Sequence, residues 1–180
     1  MTCIVAVEDA TGTIMGADRA ASGSELLTVL QTSKLFRNGP ALFGYTSSMR
    51  MGQLMQYDVT LKPPSSNVGQ WVVTELVPAL RTSFLAGGFE RSKDGESSGG
   101  CFLVSIGGNC FEVQDDYSFL RSEAGEYAIG SGAAVALGSL HSTRGRPADE
   151  RVAAALAAAA DYALGVSSPF DLEVDPKGAV

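Results

Sequence analysis

MTCIVAVED, residues 1–9, opens the chain with a small polar residue ahead of an apolar run. A run of this length and composition predicts a buried strand. Thr2 stands at its head, and two interpretations of it compete. Thr2 is either the frayed start of a strand, which is common near a terminus, or, once Met1 is removed, a nucleophile whose base is its own α-amino group. The rest of the sequence has to distinguish the two.

Composition restricts the classes of function. The chain has 180 residues, 45% of them hydrophobic, which predicts one domain, 1–180, with a continuous core. A net charge of −7 without a Lys/Arg cluster argues against nucleic acid or an anionic membrane as partner. The sequence shows neither an apolar run of the roughly 20 residues that span a bilayer nor a signal segment, so we expect a cytoplasmic protein.

The cysteines and the histidine argue against disulfides and zinc. Cys3, Cys101 and Cys110 are odd in number and lie in strand-like contexts, which predicts reduced core residues. His141 is the only histidine, and the sequence has no paired Cys/His spacing of the kind that binds zinc.

Apolar periodicity predicts blocks of strands that alternate with pairs of helices. The predicted strands are residues 2–8, 13–18, 33–37, 41–45, two within 101–114, then 117–121, 126–130 and 170–174. The predicted helices run from Ser48 toward the Pro63-Pro64 pair, over 69–86 with Asn67 as cap and Pro78 as kink, and over 133–142 and 148–165. Residues 89–99 predict a loop, and the acidic stretch at about 170–180 predicts a surface tail. This order predicts an α+β fold of two sheets flanked by helices.

Two charged residues follow the Thr2 strand at the ends of neighbouring strands. Asp18 ends the second predicted strand and Lys34 begins the third. A cation beside an α-amine disfavours its protonated form and lowers its pKa from about 7.7–8.0. The amine can then accept a proton near neutral pH. Taken singly, the two residues have ordinary interpretations as a turn aspartate and a solvated lysine.

Five segments carry a resemblance to a known family: TCIVAVE at 2–8, GAD at 16–18, SKLF at 33–36, FGYTSSMRMG at 43–52 and AIGSGAAVALG at 128–138. In these segments the chain resembles proteasome β-subunits, and especially the simpler bacterial peptidases of the HslV type, within the N-terminal nucleophile (Ntn) hydrolases. Counted from Thr2, Asp18 and Lys34 stand at the offsets of the family's catalytic carboxylate and lysine. The resemblance implies a four-layer αββα sandwich, with two antiparallel sheets between helical layers.

The resemblance also implies a role for each matching residue. Thr2 is the nucleophile and its freed amine the base, Lys34 tunes that amine, and Asp18 holds Lys34. The backbone N–H of Ser47, near the start of a helix, stabilises the developing oxyanion. Ser131, between two glycines, lies close to the Thr2 amine.

Substrate and assembly follow from the same resemblance. Ser22 is expected on a strand edge where a peptide substrate pairs, and Tyr45 and Thr46 are expected to line the specificity pocket. The implied substrate is a peptide or an unfolded protein, cleaved without a metal or organic cofactor. The resemblance also implies a homo-oligomeric ring or spiral and an ATPase unfoldase as partner.

The chain departs from the family pattern at several positions. Ser47 stands where the family has a glycine. Gly165 falls where the family has a second aspartate, while Ser168 matches an accompanying serine as a secondary site residue. Arg19 adjoins Asp18 directly, although the family arginine follows a few residues later.

We therefore predict a threonine peptidase and keep three alternatives. A proteasome-like scaffold subunit would assemble without cleaving. An amidohydrolase or peptide ligase would use the same nucleophile on a non-protein amide. GSGAAV at 130–135, with Asp149 or Glu150 downstream, could be a dinucleotide loop, although its third glycine is missing.

Overall fold

A computed structural model describes residues 1–22, 26–64, 67–93 and 96–178. Its strands are, in chain order, β1 (Cys3–Glu8), β2 (Gly12–Asp18), β3 (Ala20–Ser22), β4 (Leu27–Val29), β5 (Leu35–Asn38), β6 (Ala41–Tyr45), β7 (Arg91–Lys93), β8 (Glu96–Ser98), β9 (Phe102–Ile106), β10 (Asn109–Val113), β11 (Phe119–Leu120), β12 (Glu126–Gly130) and β13 (Phe170–Pro176). Its α-helices are α1 (Met49–Tyr57), α2 (Val68–Trp71), α3 (Val77–Ala86), α4 (Ala133–Ser142) and α5 (Ala148–Tyr162). A π-helical segment, Val72–Leu76, joins α2 to α3.

Two antiparallel sheets form the centre of the molecule. The first sheet has the order β12-β1-β2-β13, and the second has the order β11-β10-β9-β6-β5. Val5 in β1 lies opposite Ala128 on one side and Gly16 on the other. Two short hairpins, β3–β4 and β7–β8, stand apart from these sheets.

The alternation of side chains along β1 divides the core into layers. Cys3, Val5 and Val7 face one way and pack against α4 and α5, whereas Ile4 and Ala6 face the second sheet. Successive side chains of a strand point to opposite faces, so one strand lines two apolar layers. On the far face of the second sheet, α1 and α3 pack over a further cluster. The layers are therefore helices, sheet, sheet and helices, which confirms the predicted αββα arrangement.

Local signals in the sequence account for the helices beside the second sheet. Ser48 caps α1 by accepting a hydrogen bond from the Arg50 N–H, and Asn67 caps α2 through the Gln70 N–H. The expected irregularity at Pro78 is present, because the π-helical segment ends just before it, at Leu76. Proline lacks the N–H that would bond four residues back, so a wider π-helical turn there loses less hydrogen bonding than a regular α-helical turn would.

Two parts of the sequence prediction were wrong. Residues 89–99 are not simply a loop, since they contain the β7–β8 hairpin. The stretch at about 170–180 is not a tail as far as residue 176, since the strand predicted at 170–174 is present, extends over Phe170–Pro176 and pairs along its whole length with β2. Both segments are rich in polar residues, a composition that loops, tails and edge strands share. The short β3–β4 hairpin was also missed, because strands of three residues are too short for an alternating pattern to be recognised.

The described helices all lack the combined length and apolar character that crossing a membrane would require. Cys3, Cys101 and Cys110 are free thiols, and Cys3 and Cys110 are buried.

Candidate active site

An open cavity of about 400 Å³ lies where β1 begins. Thr2 and Lys34 line it together with the turn that follows β6 and the turn that follows β12. Tyr45, Thr46 and Ser131 also line the wall. The topology explains this gathering, because β1 lies between β2 and β12 and their ends meet beside Thr2.

A lysine in the wall of this cavity, Lys34, belongs to a buried ion pair. The Lys34 ammonium donates to the Asp18 carboxylate over 2.8 Å and to the Ala20 carbonyl over 2.6 Å. Asp18 is fully buried and Lys34 is 2% exposed. Burial lowers the pKa of Lys34 from its usual 10.5, and the Asp18 charge opposes that shift. The pair places a positive charge in the wall that Thr2 shares.

Asp18 also holds the backbone next to Thr2. Its carboxylate accepts the Cys3 N–H at 2.8 Å and the Ala20 N–H at 3.0 Å. Burial, and then the Asp18 charge, raises the pKa of the Cys3 thiol to about 12. Cys3 therefore stays a neutral thiol, and only the thiolate is a strong nucleophile.

Ser131 meets Thr2 from the neighbouring strand end. Its hydroxyl accepts the Thr2 N–H at 3.2 Å and donates to the Thr2 carbonyl at 3.3 Å. Gly130, at φ 93°, leaves room for this approach, since an added Cβ would come within 2.2 Å of the Thr2 carbonyl oxygen.

The dinucleotide-loop interpretation of 130–135 is wrong. A dinucleotide fingerprint needs a parallel βαβ unit, but β12 pairs antiparallel with β1. Asp149 and Glu150 are exposed in the first turn of α5, where carboxylates suit the helix dipole.

Ser47 lies in the turn between β6 and α1, with a φ of 65°. This left-handed conformation is the one that glycine adopts freely, so Ser47 keeps the backbone shape expected of the family glycine. Among the described residues its N–H has no hydrogen-bond partner, and Ser47 lines the cavity. A backbone donor is thus free at this edge of the cavity.

Two predicted residues are not shown at the site. Ser22 lies in β3, where its backbone pairs with Leu27, but its side chain is outside what the structure describes. Ser168 is exposed and does not line the cavity. Gly165, at φ 71°, occupies the turn after α5.

The sequence interpretation missed two backbone groups that shape the site. The Ala20 carbonyl is a second acceptor for Lys34, and Cys101 pairs through its backbone with the Thr46–Ser47 turn. Peptide groups are common to every residue, so no pattern of side chains could have indicated them.

Met1 covers the nitrogen of Thr2. Met1 is 53% exposed, and its carbonyl accepts a hydrogen bond from the Thr2 hydroxyl at 2.7 Å. While Met1 is attached, the Thr2 nitrogen belongs to a peptide bond and cannot act as a base. Removal of Met1 would free both the amine and the hydroxyl next to the Asp18–Lys34 pair.

No protein-family model and no curated protein sequence matches the chain. Solved structures match along nearly its whole length. BPH from Thiobacillus denitrificans has a TM-score of 0.80 at 19% identity over 96% of both chains. HslV from Trypanosoma brucei has a TM-score of 0.67 at 20% identity, covering 96% of this chain and 98% of that one. The Anbu complex from Pseudomonas aeruginosa, solved as a helical assembly, has a TM-score of 0.70 at 16% identity, covering 98% of this chain and 82% of that one. The chain therefore has the proteasome-like fold of the Ntn hydrolases.

Proposed function

We propose that the chain is a threonine peptidase that cleaves peptide bonds through Thr2, exposed by removal of Met1. One observation carries the proposal: a lysine that is 2% exposed lines the same cavity as Thr2 and is paired, behind the cavity wall, with a fully buried aspartate. Lysine and aspartate are almost never fully buried unless paired, and burying charge costs free energy. A buried pair next to a hydroxyl nucleophile fits a catalytic role.

Activation begins with the freed α-amine of Thr2. The Lys34 cation disfavours the protonated amine, so the amine is a neutral base near neutral pH. It takes the proton of the Thr2 hydroxyl as the oxygen attacks the substrate carbonyl. Asp18 keeps Lys34 charged and in place.

The attack converts the carbonyl carbon to a tetrahedral intermediate with a negative oxygen. The Ser47 N–H donates a hydrogen bond to that oxygen. When the intermediate collapses, the C–N bond breaks and the Thr2 ammonium returns its proton to the leaving amine, which leaves an ester on Thr2. Water, deprotonated by the same amine, then hydrolyses the ester and restores the hydroxyl.

Assembly and partners belong to the same proposal. The Pseudomonas aeruginosa Anbu structure is a helical assembly, which supports a ring or spiral of this chain with its cavities facing inward. Peptides or unfolded proteins, delivered by an ATPase unfoldase in the cytoplasm, are the proposed substrates. The proposed mechanism needs no metal or organic cofactor.

The scaffold alternative rests on Gly165, which replaces an expected aspartate by a residue without a side chain. The amidohydrolase or ligase alternative rests on the general point that fold and nucleophile do not determine the substrate. Two experiments distinguish these alternatives from the peptidase.

The first experiment measures the intact mass of the purified protein after incubation with an epoxyketone peptide, with Thr2→Ala as the matched control. The reagent reacts with a free threonine amine and its hydroxyl, and BPH from Thiobacillus denitrificans has been solved with epoxomicin. We expect loss of Met1 and one inhibitor per chain in the parent, and loss of Met1 without an adduct in the control. Retention of Met1 would contradict the proposal.

A panel of peptides and small amides, assayed on the same sample, distinguishes the alternatives. Peptide turnover that Thr2→Ala abolishes supports the peptidase. Turnover of small amides alone supports the amidohydrolase, and loss of Met1 with neither adduct nor turnover supports the scaffold.

A further inference from the structure

The turn after β6 contains a side chain in a conformation that favours glycine. Ser47 has a φ of 65°, at the point where the proposed oxyanion donor lies. Most residues with a Cβ avoid this region, because the Cβ crowds the backbone. A glycine would supply the same N–H without that crowding, so the hydroxyl of Ser47 needs its own explanation.

The hydroxyl of Ser47 is hydrogen-bonded to Cys101, the residue just before β9. It accepts the Cys101 N–H at 3.2 Å, while the Thr46 hydroxyl donates to the Cys101 carbonyl at 3.1 Å. The Thr46 N–H also donates to that carbonyl, at 3.2 Å, and the two hydroxyls are 3.3 Å apart. The β6–β9 ladder ends at Tyr45 opposite Phe102. The side chains of Thr46 and Ser47 therefore extend the pairing by one residue, to both polar groups of Cys101.

The segment just before β9 leaves space for this hydroxyl. Gly100 has a φ of 75°, and an added Cβ would lie 3.1 Å from the Ser47 Cβ and hydroxyl and 2.9 Å from the Met51 sulfur. Asp115 holds the Gly100 backbone by accepting its N–H at 2.7 Å. The space that Gly100 leaves open is thus occupied by the Ser47 side chain.

We propose that the Ser47 hydroxyl is a positioning group that holds the turn to Cys101 and thereby aims the Ser47 N–H at the oxyanion. This role rests on the proposed function, because it concerns the same reaction. The hydroxyl does not touch the substrate; it acts through the backbone to which it belongs. The competing explanation is that serine is merely tolerated in place of glycine.

The contact is tested first without any turnover. Hydrogen exchange of the Cys101 amide is measured in the parent, Ser47→Ala and Ser47→Gly, with global stability followed by thermal melting. We expect the amide to exchange about three- to tenfold faster in both variants, the range of one hydrogen bond. Unchanged exchange in a folded Ser47→Gly protein would overturn the proposal.

The catalytic consequence is tested by peptide kinetics of the same proteins. Ser47→Ala keeps the crowded Cβ and loses the hydroxyl, whereas Ser47→Gly loses both. We expect kcat to fall about tenfold in each with KM unchanged, less than the ~10²–10³-fold cost of losing an oxyanion donor. A Ser47→Gly enzyme with a kcat equal to or above that of the parent would show that serine is only tolerated there. If the parent itself turns nothing over, the proposed function fails with this catalytic role, and the exchange measurement still decides the contact.

Discussion

Two buried carboxylates, Asp18 and Asp175, lie at opposite ends of the first sheet and differ in the charged group that each one meets. Asp18 and Asp175 are 0% and 1% exposed, and each accepts a main-chain N–H. Asp18 also binds Lys34 in the wall of a cavity. Asp175 instead accepts the Ser105 hydroxyl at 2.7 Å, with the guanidinium of Arg37 3.7 Å away and 43% exposed. Burial of a carboxylate therefore does not by itself mark a site; a buried cation facing a cavity does.

The role of Asp175 is structural. It lies on β13 in the first sheet, while Ser105 and Gly108 belong to β9 and the turn that follows it in the second. Its carboxylate thus joins the two sheets far from Thr2. Asp175 is the natural control for Asp18.

Lys34→Ala should have the largest effect. We expect the turnover per folded protein to fall by about 10²–10⁴-fold, the usual contribution of a positioned acid–base group. We also expect the free energy of unfolding to fall by about 3–5 kcal/mol, because Asp18 is left as an unpaired buried charge. Peptide kinetics and urea unfolding measure the two losses. Turnover near that of the parent would show that the pair only supports packing.

The pH dependence of activity should next report the loss of the Lys34 charge, with Asp175→Asn as the control. Burial lowers the pKa of Lys34 below 10.5, so its positive charge is lost at a lower pH than that of an ordinary lysine. We expect kcat/KM to decline on the alkaline side below pH 10.5, because the cation beside the reacting threonine disappears. Asp175→Asn should show the same profile. Circular dichroism at each pH verifies folding, and constant activity up to pH 10.5 would contradict the assignment.

Asp175→Asn should lower stability and leave catalysis alone. An amide can no longer accept two hydrogen bonds as a charged group, so we expect a loss of about 1–3 kcal/mol in the free energy of unfolding. Turnover per folded protein should stay within twofold of the parent, a margin of roughly 0.4 kcal/mol. Urea unfolding followed by active-site titration measures both. Loss of turnover in a folded protein would remove the distinction between the two ends of the sheet.

The smallest effects concern two serines, Ser131 and Ser168, that the resemblance assigned to the site, the second only as a secondary residue. Ser131→Ala should lower kcat about three- to tenfold, since its hydroxyl bonds to Thr2 with an energy on the order of 1 kcal/mol. Ser168→Ala should change neither kcat nor melting temperature, because Ser168 is exposed and outside the cavity wall. Equal losses in the two variants would show that the turn after α5 reaches the reacting groups after all.

Much of the fold could be predicted because the decisive patterns are local. The alternation in β1, the cap at Asn67 and the irregularity near Pro78 each depend on residues within a few positions. The edge strand β13 was predicted only at 170–174, and the same charged stretch was also taken for a surface tail, since most of its side chains are exposed. Asp175 became recognisable as a core residue only when that strand was paired.

The same division holds for the candidate site. Thr2, Asp18 and Lys34 could be selected from the sequence because their spacing matches the offsets that the resemblance to proteasome β-subunits implies for a nucleophile, a carboxylate and a lysine. Ser131 is 129 positions from Thr2, and only the pairing of β12 with β1 brings its hydroxyl to the Thr2 nitrogen. The contact of Ser47 with Cys101 likewise depends on the pairing of β6 with β9.

By itself, the sequence determined most of the strands and helices and the side chains that could carry the chemistry, because both depend on short-range patterns and residue type. Only the tertiary structure decided which buried carboxylate pairs with a cation that lines the cavity and which backbone groups complete the site. Those choices depend on the pairing of distant strands, and the free energy of that pairing comes from burying whole faces of the sheets rather than from any one residue.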